Sequence, residues 1–456
     1  MNFAHAEVAT LDPTTMRTLC EEYIANNYID PETSERLGVK RGLRNPDGTG
    51  VLAGLTNVCD VVGYKKDQEG HVIPTPGKLI YRGVNINEIV DEAYRNDRFV
   101  FEEVIWLLLF GSLPTREQLD DFCEILAESR ALPDGFMDTM NAPSPNIMNK
   151  LQRCVLGLYS YDDRAEDLSL ENILNQSINL IASMPTMMVN AYQMKRRYYD
   201  KQSMFFHMPK PGQSTAEHIL STYRPDQKFT HEEARLLDLC LLVHADHGGG
   251  NCSTFTTRVL SSSGTDTYAA ISAAIGALKG PKHGGANIKV TQMFEDMKSV
   301  LTDWEDEDQI RAYLEALLDK KAFDRKGLIY GMGHAVYSIS DPRADIFKGF
   351  VKKLAKEKGH EAEYGLYEKV EHLAPEIIGE KRKMYKGVNA NVDFYSGLVY
   401  SMLDLPPALY TPIFAAARIV GWSAHRLEEL KNVDKIIRPA YKPLAPYRDY
   451  IKLDDR

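Results

Sequence analysis

Residues 303–321 read DWEDEDQIRAYLEALLDKK, and this stretch sets the character of the whole chain. Ile310, Tyr313, Leu314 and Leu317 recur at helical spacing. Asp303, Glu305, Asp306, Glu307 and Asp308 load its start and Lys320-Lys321 its end, matching the polarity of a helix dipole. Outward from it, apolar residues at the same spacing predict helices over 290–300, 266–279, 231–246, 170–198, 115–130 and 99–110 on one side. On the other side they predict 343–357, 394–404 and 411–431. Between 348 and 386 lysines alternate with glutamates, which reads as a solvated helix face rather than an anion patch. Asp12-Pro13 and Asp30-Pro31 read as helix starts, with proline at the first helical position.

One region breaks the pattern. Over 48–83, Gly, Pro and β-branched residues dominate (Val61-Val62-Gly63, and His71 through Gly77), predicting short strands and turns. The expected fold is therefore mainly α with a short β-rich stretch near 48–83. No βαβ alternation supports a dinucleotide fold.

The 456 residues suit two to three domains. With 44% hydrophobic and 26% charged residues, the chain is neither disordered nor fibrous in composition. A net charge of −10 argues against a nucleic-acid partner, while a cleft can still gather Arg and His around an anionic substrate. Apolar runs such as 104–110 are too short for a membrane span, and no secretory signal pattern opens the sequence. Six scattered cysteines without a C-x-x-C pair point to reduced thiols and a cytoplasmic location.

Four constellations carry chemistry. In His244-Ala245-Asp246-His247-Gly248-Gly249-Gly250-Asn251 the two histidines would share a helix face. The glutamate of a zinc H-E-x-x-H site is missing, no G-x-S-x-G elbow supports an esterase, and histidines capping a helix end are the competing reading. In Gly280-Pro281-Lys282-His283-Gly284-Gly285-Ala286-Asn287, His283 sits in a turn before an expected helix, whose N-terminus disfavours imidazolium. A neutral His there can donate to a developing oxyanion, against the alternative of a simple turn residue. In Gly331-Met332-Gly333-His334-Ala335-Val336-Tyr337, two glycines bring backbone close to a ligand. Arg343, after Asp341-Pro342, offers a carboxylate fork or a surface salt bridge. In the 387–397 stretch, Asp393 is either a helix N-cap or, between Val392 and Phe394, a desolvated base.

Together these strings resemble the all-α, si-face citrate synthase family. Supporting matches are Tyr81-Arg82-Gly83, the 109–115 segment, Ala417-Arg418…Gly421-Trp422 and Arg438-Pro439, so that the resemblance covers roughly 50–445. It implies a two-domain helical homodimer. The large domain would comprise 1–283 and 399–456, and the small domain, 284–398, would close over the cleft. It implies condensation of acetyl-CoA with oxaloacetate and hydrolysis of citryl-CoA, a tricarboxylic acid cycle acyltransferase reaction with no metal and no tightly bound cofactor. Position by position, Asp393 resembles the general base, His283 the donor to the thioester oxygen, and His334 the acid on the oxaloacetate carbonyl. His247, Arg343, Arg418 and Arg438 resemble oxaloacetate ligands, Arg438 reaching in from the partner subunit. Leu328, Ile329, Tyr330, Gly331, Met332, Gly333 and Asn391 correspond to the CoA site.

The chemistry fits those assignments. A thioester α-proton is so weakly acidic that an Asp needs simultaneous stabilisation of the oxygen. Two carboxylates on one small substrate call for several arginines. Ser338 and Ile288-Lys289 depart from relatives, which carry basic residues near the CoA phosphates and a glutamate, respectively. The alternatives are 2-methylcitrate synthase using propionyl-CoA, a silent CoA- or dicarboxylate-binding homologue, and a metal-dependent hydrolase built on His244 and His247.

Overall fold

The computed structural model describes residues 12–45, 47–382, 387–433 and 435–456. The chain divides into a unit ending at Ala53 and a second running from Gly54 to Arg456. In the first, helices Pro13–Asn26 and Pro31–Arg36 start where Asp-Pro predicts, with the Asp12 and Asp30 carboxylates accepting first-turn N–H groups. All residues of both helices lie outside any core.

The second unit is helix upon helix around one three-stranded antiparallel sheet. Strands β1 (Cys59–Lys66), β2 (Val72–Tyr81) and β3 (Val84–Asn85) run in chain order, with Cys59 opposite Tyr81 and a bulge between Val62 and Tyr64. Their helical surroundings follow the apolar spacing closely. Expected segments appear as Phe101–Phe110, Arg116–Glu128, Leu170–Tyr198, Thr267–Lys279, Glu307–Leu318, Pro342–Lys358 and Tyr410–Asn432. The Glu307–Leu318 helix buries Ile310, Tyr313, Leu314 and Leu317, the very stripe read from sequence, and is capped by Asp306. Among the described lysines of the 348–386 stretch, Lys348 pairs with Glu371, Lys369 with Glu305 and Lys381 with Asp319, so that face also ties helices together; Lys383 and Lys386 lie outside the described residues.

Three differences bear on the site. The helix expected to 246 is His231–His244, so His247 lies beyond it in a loop, and the two histidines do not share a helix face. The helix after His283 is Ala286–Val300, four residues longer at its start than the apolar spacing marks. The last helix of the catalytic strings is Val392–Met402, N-capped by Asn391 rather than Asp393. No helix among the described residues is long and apolar enough to cross a membrane.

Tyr410–Asn432 buries more residues than any other helix described, with Trp422, Arg418 and Arg426 among the largest fully enclosed side chains. It packs against Leu170–Tyr198 and Cys252–Ser261. Buried arginines in a central helix need partners, and those partners lead to the site.

Candidate active site

Asp393 is the second residue of its helix. Because Asn391 takes the capping role and receives the Asp393 N–H at 3.0 Å, the Asp393 carboxylate is left for other work. No hydrogen-bond donor reaches it among the described residues. Burial pushes it up to about 7, and Asp341 adds to this, while the Arg343 and Arg418 charges pull the other way. A carboxyl poised near neutrality suits a general base.

His283 occupies a turn in which its own N–H reaches Gly280 O and the Gly284 N–H reaches Leu278 O, both at 2.9 Å. A Cβ at Gly284 would lie 2.6 Å from that Leu278 oxygen, so glycine is required there. The Ser253 N–H, at the start of the Cys252–Ser261 helix, donates to His283 Nε2 at 3.3 Å, and Ser253 Oγ lies 2.9 Å from the same atom. A nitrogen that accepts a backbone N–H carries no proton, so the His283 proton sits on Nδ1. Trp422 Nε1–H fixes Ser253 Oγ in turn, at 3.1 Å. Burial, then the Arg418 charge, hold His283 down at about 4, so it is neutral at physiological pH.

His334 has the opposite tautomer. Val336 and Tyr337 N–H groups both donate to its Nδ1 at 3.1 Å, which puts its proton on Nε2. Its ring stacks on Tyr337 at 4.7 Å and meets His247 edge-on at 5.1 Å. The loop bearing it is zipped to the segment before Asp393. Gly333 N–H donates to Asn389 O at 2.7 Å, Asn391 N–H to Gly331 O at 2.9 Å, and Asn391 Nδ2 to Gly333 O at 2.8 Å. Gly331, at φ +83°, presses against Phe394, where a Cβ would be 2.9 Å from the ring.

Two buried arginines complete the cluster. Arg343 is bound in a two-pronged pair to Asp341, Nε to Oδ1 at 3.0 Å and Nη2 to Oδ2 at 2.7 Å, and is 3% exposed. It is thus neither at the surface nor a simple salt bridge. Burial alone would lower this guanidinium, but Asp341 lifts it above its ordinary range. Arg418, 1% exposed, spends Nε on His244 O at 2.7 Å and leaves Nη2 without a partner among the described residues. His247 Nε2 is likewise unpartnered, and burial, then the Arg343 charge, drive that ring well below its ordinary value. Buried unmatched donors around one spot form a receptor for an anion. His244 is enclosed by Phe347, Tyr400 and Phe414.

The β-rich stretch braces both histidine loops. Tyr81 Oη lies 3.0 and 3.1 Å from the Leu242 and Asp246 carbonyls and accepts the Asp246 N–H at 3.2 Å. Gly77 N–H donates to Ser340 Oγ at 3.2 Å, and Tyr337 Oη–H to Lys78 O at 3.3 Å.

His247, His283, His334, Arg343, Asp393 and Arg418 therefore act on one another electrostatically as one constellation. Of the 328–333 loop, Ile329 and Gly331 are buried and Leu328 is 41% exposed, while Tyr330 Oη–H bonds Asp324 at 2.6 Å. Arg438 stands apart. It is exposed on the segment after Asn432, next to Ile437, whose N–H donates to Ser262 Oγ. Ser262 caps the far end of the Cys252–Ser261 helix, at whose start Ser253 lies, and ten helical residues span about 15 Å. Sequence reasoning missed Ser253 and Asp341 as partners. The Asp341-Pro342 helix start gave a signal for Asp341, whereas Ser253 has no local signature.

Two histidines of opposite tautomer, a lifted carboxyl and two buried arginines gathered in one helical chain are the equipment of an enzyme that can do acid–base chemistry beside an anion. The family model described as "Citrate synthase, C-terminal domain" matches residues 45–440. The citrate synthase of Synechocystis is 35% identical over 398 residues, covering 86% of this chain and 91% of that one. The 2-methylcitrate synthase 1 of Corynebacterium glutamicum is 32% identical, covering 84% and 94%. The citrate synthase of the archaeon Thermoplasma acidophilum, solved as a ternary complex with carboxymethyl coenzyme A and oxaloacetate, superposes with a TM-score of 0.75. It is 27% identical and covers 91% of this chain and 99% of its own. The chain belongs to the citrate synthase family, and is an acyltransferase that converts the acyl group to alkyl on transfer.

Proposed function

We propose that this enzyme condenses acetyl-CoA with oxaloacetate and hydrolyses the citryl-CoA thioester, giving citrate and CoA. The observation that carries this reading is the pairing of opposite tautomers around one carboxylate: Nδ1–H on His283, Nε2–H on His334, and Asp393 at about 7 between ionised and neutral. Asp393 takes a proton from the acetyl methyl group while His283 Nδ1–H donates to the thioester oxygen, so charge never builds unshared on the enolate. The resulting nucleophilic carbon attacks the oxaloacetate carbonyl, which His334 Nε2–H polarises. His247, Arg343 and Arg418 hold the oxaloacetate carboxylates.

The backbone of Leu328, Ile329, Tyr330, Gly331, Met332 and Gly333, secured by Asn391, takes the CoA. No metal or bound cofactor is needed in this scheme. Residues 284–398 form a small domain that closes on 1–283 and 399–456, keeping water out until the carbon–carbon bond exists. The working enzyme is a cytoplasmic homodimer in which Arg438 serves the partner's site. Its exposure, and the helix length between it and His283, support this. Within the same chemistry, the likeness to a 2-methylcitrate synthase supports a second reading, in which propionyl-CoA is the acyl donor and 2-methylcitrate the product.

The test is oxaloacetate-dependent thiol release from acetyl-CoA and, separately, propionyl-CoA. A higher kcat/KM for acetyl-CoA is expected. The reverse ratio would make the protein a 2-methylcitrate synthase, and no release with either would overturn the reaction. One methylene is worth about 1–3 kcal/mol, or 10–200-fold, so the ratio is readily resolved.

A further inference from the structure

The Tyr410–Asn432 helix carries more than Arg418. Two turns beyond Arg418 on the same face stands His425, and one turn further Glu428 and Glu429. Arg258, from the Cys252–Ser261 helix, is set among them. Its Nη1 donates to Glu429 at 2.6 Å, and its Nη2 to Glu428 and, at 2.7 Å, to His425 Nδ1. Glu428 is itself pinned by the Asn57 N–H at 2.7 Å.

A guanidinium has only donors, so His425 Nδ1 can only accept, and the imidazole proton lies on Nε2. That atom is 3.1 Å from Asp246 Oδ2. Asp246 immediately precedes His247, and the same Oδ2 accepts the N–H of Gly248, which immediately follows it, at 3.1 Å. The helix makes room for this contact at Gly421, where a Cβ would overlap the Asp246 carboxylate and where the N–H donates to Ala245 O at 3.1 Å. His425 and Asp246 are both fully enclosed, so neither meets substrate.

We propose that Arg258 and His425 are positioning residues for oxaloacetate binding, acting through Asp246 to fix the turn that carries His247. Glu428 and Glu429 orient Arg258, Arg258 selects the His425 tautomer, and His425 Nε2–H holds Asp246. The Asp246 carboxylate stays ionised, at about 2: burial pushes it up, and the facing His425, Arg418 and the Gly248 N–H more than offset that. Its charge balances Arg418, whose unpartnered Nη2 is thus kept for the ligand. The inference rests on the reading of His247 and Arg418 as oxaloacetate ligands.

The decisive pair is His425→Gln and His425→Asn in the full-length enzyme, with oxaloacetate Kd measured by calorimetry and KM and kcat by thiol release. A glutamine amide reaches the place of Nε2 and keeps the bond to Asp246. An asparagine amide reaches only the place of Nδ1. The Gln variant is expected within about threefold of wild type in Kd. The Asn variant should bind at least about tenfold more weakly, with kcat at saturating oxaloacetate nearly unchanged. Equal losses in the two variants, or a loss confined to kcat, would overturn the proposal. So would a His425 protonated on Nδ1 in the nitrogen-15 spectrum of histidine-labelled enzyme, whether or not the Asn variant folds. A wild-type enzyme that binds no oxaloacetate would instead overturn the substrate reading, and this inference with it.

Discussion

Asp341 and Asp393 are the same residue at nearly the same kind of place, the heads of helices Pro342–Lys358 and Val392–Met402, and both act on the charge of Arg343. Asp341 accepts four bonds, from the N–H, Nε and Nη2 of Arg343 and, at 3.3 Å, from the Val392 N–H. The Asp393 carboxylate accepts none among the described residues, because Asn391 has taken over the cap. Asp341 is thereby spent on holding an arginine, and Asp393 is a carboxyl that can gain and lose a proton near neutrality. Residue type and helix position do not distinguish structural from chemical aspartates here. The supply of donors does.

The largest expected effect breaks the comparison at its chemical end. Asp393→Asn should lower kcat by about 10³-fold, within the range general bases contribute, while calorimetry still detects oxaloacetate binding. Activity within tenfold of wild type would make Asp393 no more a base than Asp341. At the structural end, Asp341→Ala strands a buried guanidinium. Urea unfolding should show a loss of about 3–5 kcal/mol, accompanied by a raised oxaloacetate KM. An unchanged urea midpoint would mean that Arg343 does not depend on its partner.

Two pH experiments sharpen the contrast. In the proposed reaction Asp393 works as the anion, so kcat/KM should fall about tenfold per pH unit below about 7. An acid limb near 4 would mean that the carboxyl is not lifted. The smallest effect concerns stability. The folded-state pKa lies above the unfolded value of about 3.9, so the folded state pays for ionising Asp393 as pH rises from about 4 through 7. Asp393→Asn removes that penalty. Its Tm should exceed wild type by about 2 °C or more at pH 8, with the gain shrinking towards pH 4. A lower Tm at pH 8 would show that the carboxylate stabilises the fold.

Much of this was legible in the chain. Long amphipathic stripes such as Ile310-Tyr313-Leu314-Leu317 announce their helices because burial and period coincide. Cys252–Ser261 is rich in Ser and Thr, poor helix formers, and it forms through its Asn251 cap and its packing. Thr215–Tyr223 had a readable capping box, Ser214 with Glu217, whose meaning was hidden by the helix's short length. Six of the seven expected catalytic and oxaloacetate-binding residues come together in space, and Arg438 does not within one chain. What sequence could not convey was the wiring: which nitrogen of each histidine bears the proton depends on Ser253, Val336 and Tyr337, fixed only by tertiary approach. The choice of Asn391 over Asp393 as cap was likewise ambiguous, since both residue types cap well.

The backbone clasp between 331–333 and 389–391 has a mechanical consequence. It rivets the His334 loop to the first turn of the Asp393 helix, so His334 and Asp393 ride on one chassis. His283 hangs instead from Ser253, on a helix wired to the central one through Trp422. If the small domain closes as proposed, a hinge between the two domains would leave the spacing of His334 and Asp393 intact and change their reach to His283. In the proposed reaction such a stroke would engage or release enolate formation as a clutch does, without taking His334 and Asp393 apart.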